Sequence, residues 1–102
     1  MSLKRKSEMD VKEVQVIPVK PHNGLIAFAS CVIDDRLYLG SIAIYTKLKG
    51  EGLRLVYPTK KIGNTNIPIF HPVNKDTAEA IHNAVVEKLE KLLHLTGQET
   101  KT

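Results

Sequence analysis

The sequence predicts an α+β fold: an antiparallel β-sheet of four to five strands with a C-terminal amphipathic helix packed on one face. Three observations lead there. Between residues 11 and 57, aliphatic and β-branched runs alternate with turn residues, the pattern of a meander of short strands. The joins Asn23-Gly24 and Asp34-Asp35 are tight-turn signals. From Asp76 to Leu95 the apolar residues recur instead at helical spacing.

Residues 1–10, MSLKRKSEMD, are polar and aperiodic and read as a flexible tail. A single domain over 11–96 and a second tail over 97–102 follow. The run Val11 to Val19 is a strand, and Pro18, lacking a backbone donor, places it at an edge or interrupts it. Pro21-His22-Asn23-Gly24 turns the chain, because Asn and Gly tolerate positive φ. Leu25 to Ile33, LIAFASCVI, is apolar on both alternating faces, as in a strand covered on both sides. Asp34-Asp35 reverses the chain into residues 37–46, where Gly40 marks a bulge or a close backbone approach. The KLKGEG segment is a loop, Leu53 to Tyr57 a fourth strand, and Ile67 to Phe70 a short edge strand or an extended loop.

The helix has the strongest signal. Asn74 or Asp76 can cap its free backbone donors, and Asp76-Thr77-Ala78-Glu79 has capping-box spacing. Ala78, Ile81, His82, Val85, Val86, Leu89, Leu92 and Leu93 fall within an arc of roughly 140°, opposite Glu79, Asn83, Glu87, Glu90, Lys91 and His94. Gly97 is a natural stop. One such helix covers one sheet face only. The second apolar face of Leu25 to Ile33 therefore calls for another cover, and a second copy of the chain in a homodimer supplies it most simply. Strand curvature with help from the first strand is the alternative.

A chain of 102 residues makes one domain, and with no Trp and five Phe and Tyr its core must be aliphatic. No apolar run is long enough to span a membrane, and no apolar stretch follows Lys4, Arg5 and Lys6 as a secretory leader requires. The single cysteine, Cys31, suits a reducing cytoplasm and, lying in an apolar run, reads as a buried inert thiol.

The net charge of +4 is unevenly spread. Residues 1–46 carry six basic and five acidic side chains, residues 47–75 six and one, and residues 76–102 three and five. The positive excess thus lies over 47–75. Such local excess concentrates polyanions, of which nucleic acid is the commonest, although charge alone fits a solvated lysine surface equally well. Lys60 and Lys61 follow Pro58 and precede a Gly-Asn turn, so both should project from a loop tip suited to phosphate contacts. Aromatic residues that stack bases are sparse there, Tyr57 and Phe70 only.

Catalytic chemistry finds little support. His22, His71, His82 and His94 match no helix-face metal pair, and no converging set of ligands assembles around them. His82 lies in the apolar arc as a core or interface residue; His71 either hydrogen-bonds its loop or contacts a phosphate. Asp34-Asp35 is ordinary turn chemistry, and the lone glycine features are too weak for a phosphate loop. We therefore expect no enzyme, cofactor, metal, membrane or small-molecule substrate.

The order of features from about Val11 to Leu92 resembles the SpoVG family of bacterial septation and sporulation regulators. The carrying segments are VKEVQV, LIAFASCVIDD, GLRLVYPTKK and above all HPVNKDTAEAI. The resemblance implies a small dimeric α+β domain, an antiparallel sheet with a helix behind it, that binds DNA and also RNA without a cofactor and regulates gene expression in bacteria. It places nucleic-acid binding on Lys60, Lys61 and Lys75, to which charge adds Arg54. The chain departs from the family habit at Ile67 and Pro68, where an Arg-Asp pair is usual, and at Ala78 and Gln15, where Arg is usual. The alternative function is a protein-interaction module of the division or developmental machinery, using the polar helix face and the edge near Pro68.

Overall fold

The computed structural model describes residues 9–47 and 52–101, with side chains described to residue 93 of the terminal helix. Four strands, β1 (Val11–His22), β2 (Leu25–Ile33), β3 (Leu37–Thr46) and β4 (Leu53–Val56), form an antiparallel sheet in the order β1-β2-β3-β4. A separate two-stranded sheet pairs β5 (Thr59–Ile62) with β6 (Thr65–Pro68), and α1 (Lys75–Lys101) ends the chain. The expected α+β architecture is present. The last two strands do not extend the main sheet but stand as their own ribbon.

Turn chemistry fixes the meander. His22 pairs with Leu25, leaving Asn23-Gly24 as a two-residue loop with φ of 51° and 90°. Positive φ at both positions is what a type I′ hairpin demands. Asp34 and Asp35 have φ of 52° and 56° and carry the chain from Ile33 to Leu37, closed by Arg36 N donating to Ile33 O. Strand β1 is an edge, as Pro18 requires.

Bulges decide which residues face inward. Ala29 pairs with Ile42 and Cys31 with Leu39, so Gly40 and Ser41 together oppose Ser30. Leu39 and Ile42, three positions apart, thereby share a face, and Ser41 takes φ of 59°. The bulge expected at this glycine is present, whereas its nearest neighbour is the Tyr38 side chain, 2.9 Å from where a Cβ would lie, and not another backbone. A second bulge, at Glu13 with φ of 49°, shifts β1 between Lys12 and Gln15.

The inner sheet face and α1 build one core. Ala27, Ala29, Cys31 and Ile33 of β2 and Ile42 and Ile44 of β3 bury against Ile81, Val85 and Leu89 of the helix, with Val16 at the side. Buried Cys31 has its thiol pKa pushed up by desolvation, as an inert thiol should. The outer face has no such cover from the described residues: Ile17 is 65% exposed, Phe28 38% and Tyr38 70%.

One of the two expected caps opens the helix, whereas the capping box and the stop at Gly97 do not follow expectation. Asn74 is the N-cap, its Oδ1 accepting from Thr77 N at 2.8 Å and its carbonyl oxygen from Ala78 N at 3.1 Å. Asp76 thus lies inside the first turn, where a negative charge favours the helix dipole, and the Asp76–Glu79 capping box is not used. Gly97 does not stop the helix, whose backbone continues to Lys101. A glycine inside a helix costs only ~1 kcal/mol relative to alanine and stops one only if the chain takes up the left-handed C′ geometry. Met9 and Asp10 belong to the folded domain rather than to the tail: Asp34 N donates to Asp10 O at 2.8 Å, and Asp10 N to Asp34 Oδ1 at 2.9 Å. The tail residues Lys4, Arg5 and Lys6 lie outside the described residues.

Candidate nucleic-acid interface

The ribbon emerges from the core through an aromatic clasp. Tyr57 and Phe70, both half-buried, meet edge to face with ring centroids 5.9 Å apart and pack against the core cluster. Ile69 N donates to Pro58 O at 2.9 Å and closes the base. Beyond it, Thr59 pairs with Pro68, Lys60 with Ile67, Lys61 with Asn66 and Ile62 with Thr65. Gly63-Asn64 forms the two-residue tip, with φ of 62° at Gly63 and Asn64 outside the left-handed region, as a type II′ turn requires. All eight paired residues are exposed.

Desolvation in the clasp raises the Tyr57 phenol to about 12, with a smaller contribution from Cys31. The protonated phenol is thus favoured in the folded state. Its contribution is complete below pH 10, the ordinary value, and is lost as pH rises through about 12. After solvent screening of this half-exposed ring the loss should be roughly 1 kcal/mol. Urea unfolding at pH 9 to 12 should show a decline in wild type that Tyr57→Phe lacks; equal declines would mean that the phenol is not held neutral.

Lys60 and Lys61 are therefore not at a loop tip. They are successive residues of β5, and strand alternation directs them to opposite ribbon faces. The sequence suggested a loop because β5 and β6 are only four residues each and lack an apolar face to bury. Ile67 lies within β6 opposite Lys60, in a strand that begins at Thr65, earlier than expected.

Arg54 lies on β4 opposite Tyr45, its guanidinium 4.9 Å from the ring centroid. It shares the outer sheet face with Val56, whereas Leu55 between them packs on the core. Lys75 is the first residue of α1, its side chain 85% exposed and its Nζ 3.9 Å from Glu79 Oε2. An exposed pair of this kind is worth well under ~1 kcal/mol and exchanges readily for a phosphate. The four candidates thus lie on three separate parts of the fold: two share the ribbon, one opens the helix and one lies on the outer sheet face.

Other polar groups have structural duties. His71 Nδ1 lies 2.9 Å from Pro72 O and donates to it, since a carbonyl only accepts. Lys12 reaches Asp35 at 3.2 Å and Asp10 at 3.3 Å, and its pKa is raised chiefly by the hydrogen bond to Asp35, then by Asp10. Asp34 and Asp35 thus serve a turn and an ion pair. Among the described residues no group of three or more His, Cys, Asp or Glu side chains is placed to hold a metal ion. Among the same residues no helix is long and apolar enough to cross a membrane.

Two features were overlooked in the sequence. Asn66 and Thr59 share a ribbon face with Lys61, a placement visible only once the Lys61–Asn66 pairing is known. Tyr38 lies on the outer sheet face with Phe28 and Ile17, a grouping set by the bulge at Gly40.

The SpoVG family model matches residues 9–91. A septation protein SpoVG of Treponema denticola is 33% identical over 95 residues, covering 91% of this chain and 99% of the relative. Its namesake in Finegoldia magna is 33% identical over 82 residues, covering 78% of this chain and 73% of the relative. That of Clostridium perfringens is 25% identical over 93 residues, covering 89% and 100%. With the match starting at Met9, where the described domain starts, and running through the ribbon into α1, the chain belongs to the SpoVG family.

Proposed function

We propose that this chain is a homodimeric nucleic-acid-binding regulator of bacterial gene expression, acting in the cytoplasm in processes of the septation and sporulation type. The observation that carries the reading is the positive excess of residues 47–75 displayed on exposed elements: Lys60 and Lys61 on a free-standing ribbon, Lys75 opening α1 and Arg54 on β4. Binding of this kind needs no cofactor, no small-molecule substrate and no catalytic group. Lysines and a stacked arginine at separate positions suit an extended phosphate backbone better than a compact anion.

The homodimer rests on the outer sheet face. Ile17, Phe28 and Tyr38 present there an apolar surface that α1 cannot reach from the other side. Joining two copies across it would double the charged elements in a symmetric array.

Titration of the full chain against random-sequence DNA and RNA at rising salt tests the reading. Affinity should fall steeply, the slope giving the number of phosphates engaged. Salt-independent or absent binding would exclude it. Light scattering at micromolar concentration should give a dimer that Ile17→Asp dissociates, and a wild-type monomer would remove the dimer.

A second reading is a protein-interaction module. It is favoured by Ile62, Ile67, Ile69 and Val73, all exposed around the ribbon and the approach to α1. A partner retained after nuclease treatment and at high salt would favour it over the first.

A further inference from the structure

The ribbon has two chemically different faces. Direct cross-strand partners share a face, and faces alternate along each strand. Lys61 and Asn66 therefore stand together with Thr59 and Pro68 on one face, whereas Lys60, Ile62, Thr65 and Ile67 stand on the other. Beyond Pro68 at its base, the first face carries three hydrogen-bonding side chains: a hydroxyl, an ammonium and a carboxamide. The second carries two isoleucines, 55% and 42% exposed, which offer no donor or acceptor.

We infer that this ribbon enters the major groove of duplex DNA with the Thr59, Lys61 and Asn66 face toward the base edges, and that Asn66 is its sequence-reading residue. The inference rests on the nucleic-acid reading above and adds the mode of binding and the kind of duplex. Two strands roughly 4.8 Å apart make a ribbon that a B-form major groove, about 12 Å wide, admits. Four residues per strand span about 13 Å, or some four base-pair steps. The aromatic clasp and the Ile69–Pro58 hydrogen bond hold the base of the ribbon, and its length beyond them is exposed.

Side-chain chemistry assigns the roles. A carboxamide presents one donor and one acceptor side by side, which matches N6 and N7 of adenine. The Lys61 ammonium donates to guanine O6 and N7 or to a phosphate, and the Thr59 hydroxyl suits either. Duplex RNA is disfavoured, because the A-form major groove is too deep and narrow for side chains to read.

Selection of the full-length chain on a pool of random-sequence duplex DNA, followed by competition titrations, tests this. Wild type should enrich a motif, and Asn66→Ala should lower the preference for that motif over random duplex by about 5- to 150-fold. Its affinity for random duplex and its salt slope should stay unchanged. Thr65→Ala, on the other face, should leave the preference intact, and duplex RNA should compete about tenfold or more weakly. Failure to enrich a motif, an unchanged preference in Asn66→Ala, or equal competition by duplex RNA would overturn the groove assignment while leaving phosphate binding standing. A wild-type chain that binds neither DNA nor RNA at low salt would overturn the nucleic-acid reading itself. Far-UV circular dichroism on each variant establishes that it is folded.

Discussion

Reversing both ribbon lysines, Lys60→Glu with Lys61→Glu, is expected to lower nucleic-acid affinity by at least about 60-fold at 0.1 M salt. A single lysine–phosphate pair contributes ~0.9 to the slope of log affinity against log salt, or about eightfold in affinity at that concentration. Abolishing two such pairs therefore reduces the slope by ~1.8, and the introduced carboxylates add repulsion. Stability should hardly change, because both positions are exposed and the β5–β6 pairing is made by backbone groups. A mobility-shift titration at several salt concentrations separates the outcomes: unchanged affinity and slope would remove the ribbon from the binding surface. Lys75→Glu should have a smaller effect, since Glu79 already lies 3.9 Å from that ammonium.

Truncating Ile44 to alanine is expected to destabilise the fold by ~2–5 kcal/mol. Ile44 is fully buried and pairs with Ala27 on one side and Leu55 on the other. Ala27 is too small to fill the space the truncation would leave, so a cavity cost adds to the forfeited transfer free energy. Against a total of roughly 5–15 kcal/mol for a domain of this size, the loss is a large fraction. Urea unfolding should show the midpoint falling with little change in slope. A change within ~0.5 kcal/mol would mean that the core centre lies elsewhere. Ile17→Ala provides the contrast: on an uncovered face it should cost little, and a cost that grows with protein concentration would report a second copy over it.

Much of the fold was legible from local chemistry. Asn23-Gly24 and Asp34-Asp35 lie at their expected turns because few residues tolerate the left-handed φ found there. Gly40 was readable as a bulge because a glycine inside a strand pattern weakens regular pairing there. The buried positions Ile81, Val85 and Leu89 follow from their spacing of four, which keeps them on one helix face. The candidate site was less legible. Lys60 and Lys61 were identifiable by charge, but strands without a buried face leave no apolar alternation to read. The helix cap was ambiguous for a related reason: Asn74 and Asp76 are both good caps, and only the backbone path decides which one reaches Thr77 N.

Residue order was enough to settle the α+β class, the place of each main-sheet turn, the inward face of the helix and the concentration of positive charge in residues 47–75. These are local properties, set by φ preferences, residue spacing and side-chain charge within a few positions. Long-range pairing was needed for the rest: that β5 and β6 leave the main sheet as a ribbon, that Lys61 faces the same way as Asn66 and away from Lys60, and that the outer sheet face remains uncovered. Each depends on which strands pair and in what register. A register shift of one residue would exchange the two faces of the ribbon, and no side chain in β5 or β6 is buried to reveal that choice in advance.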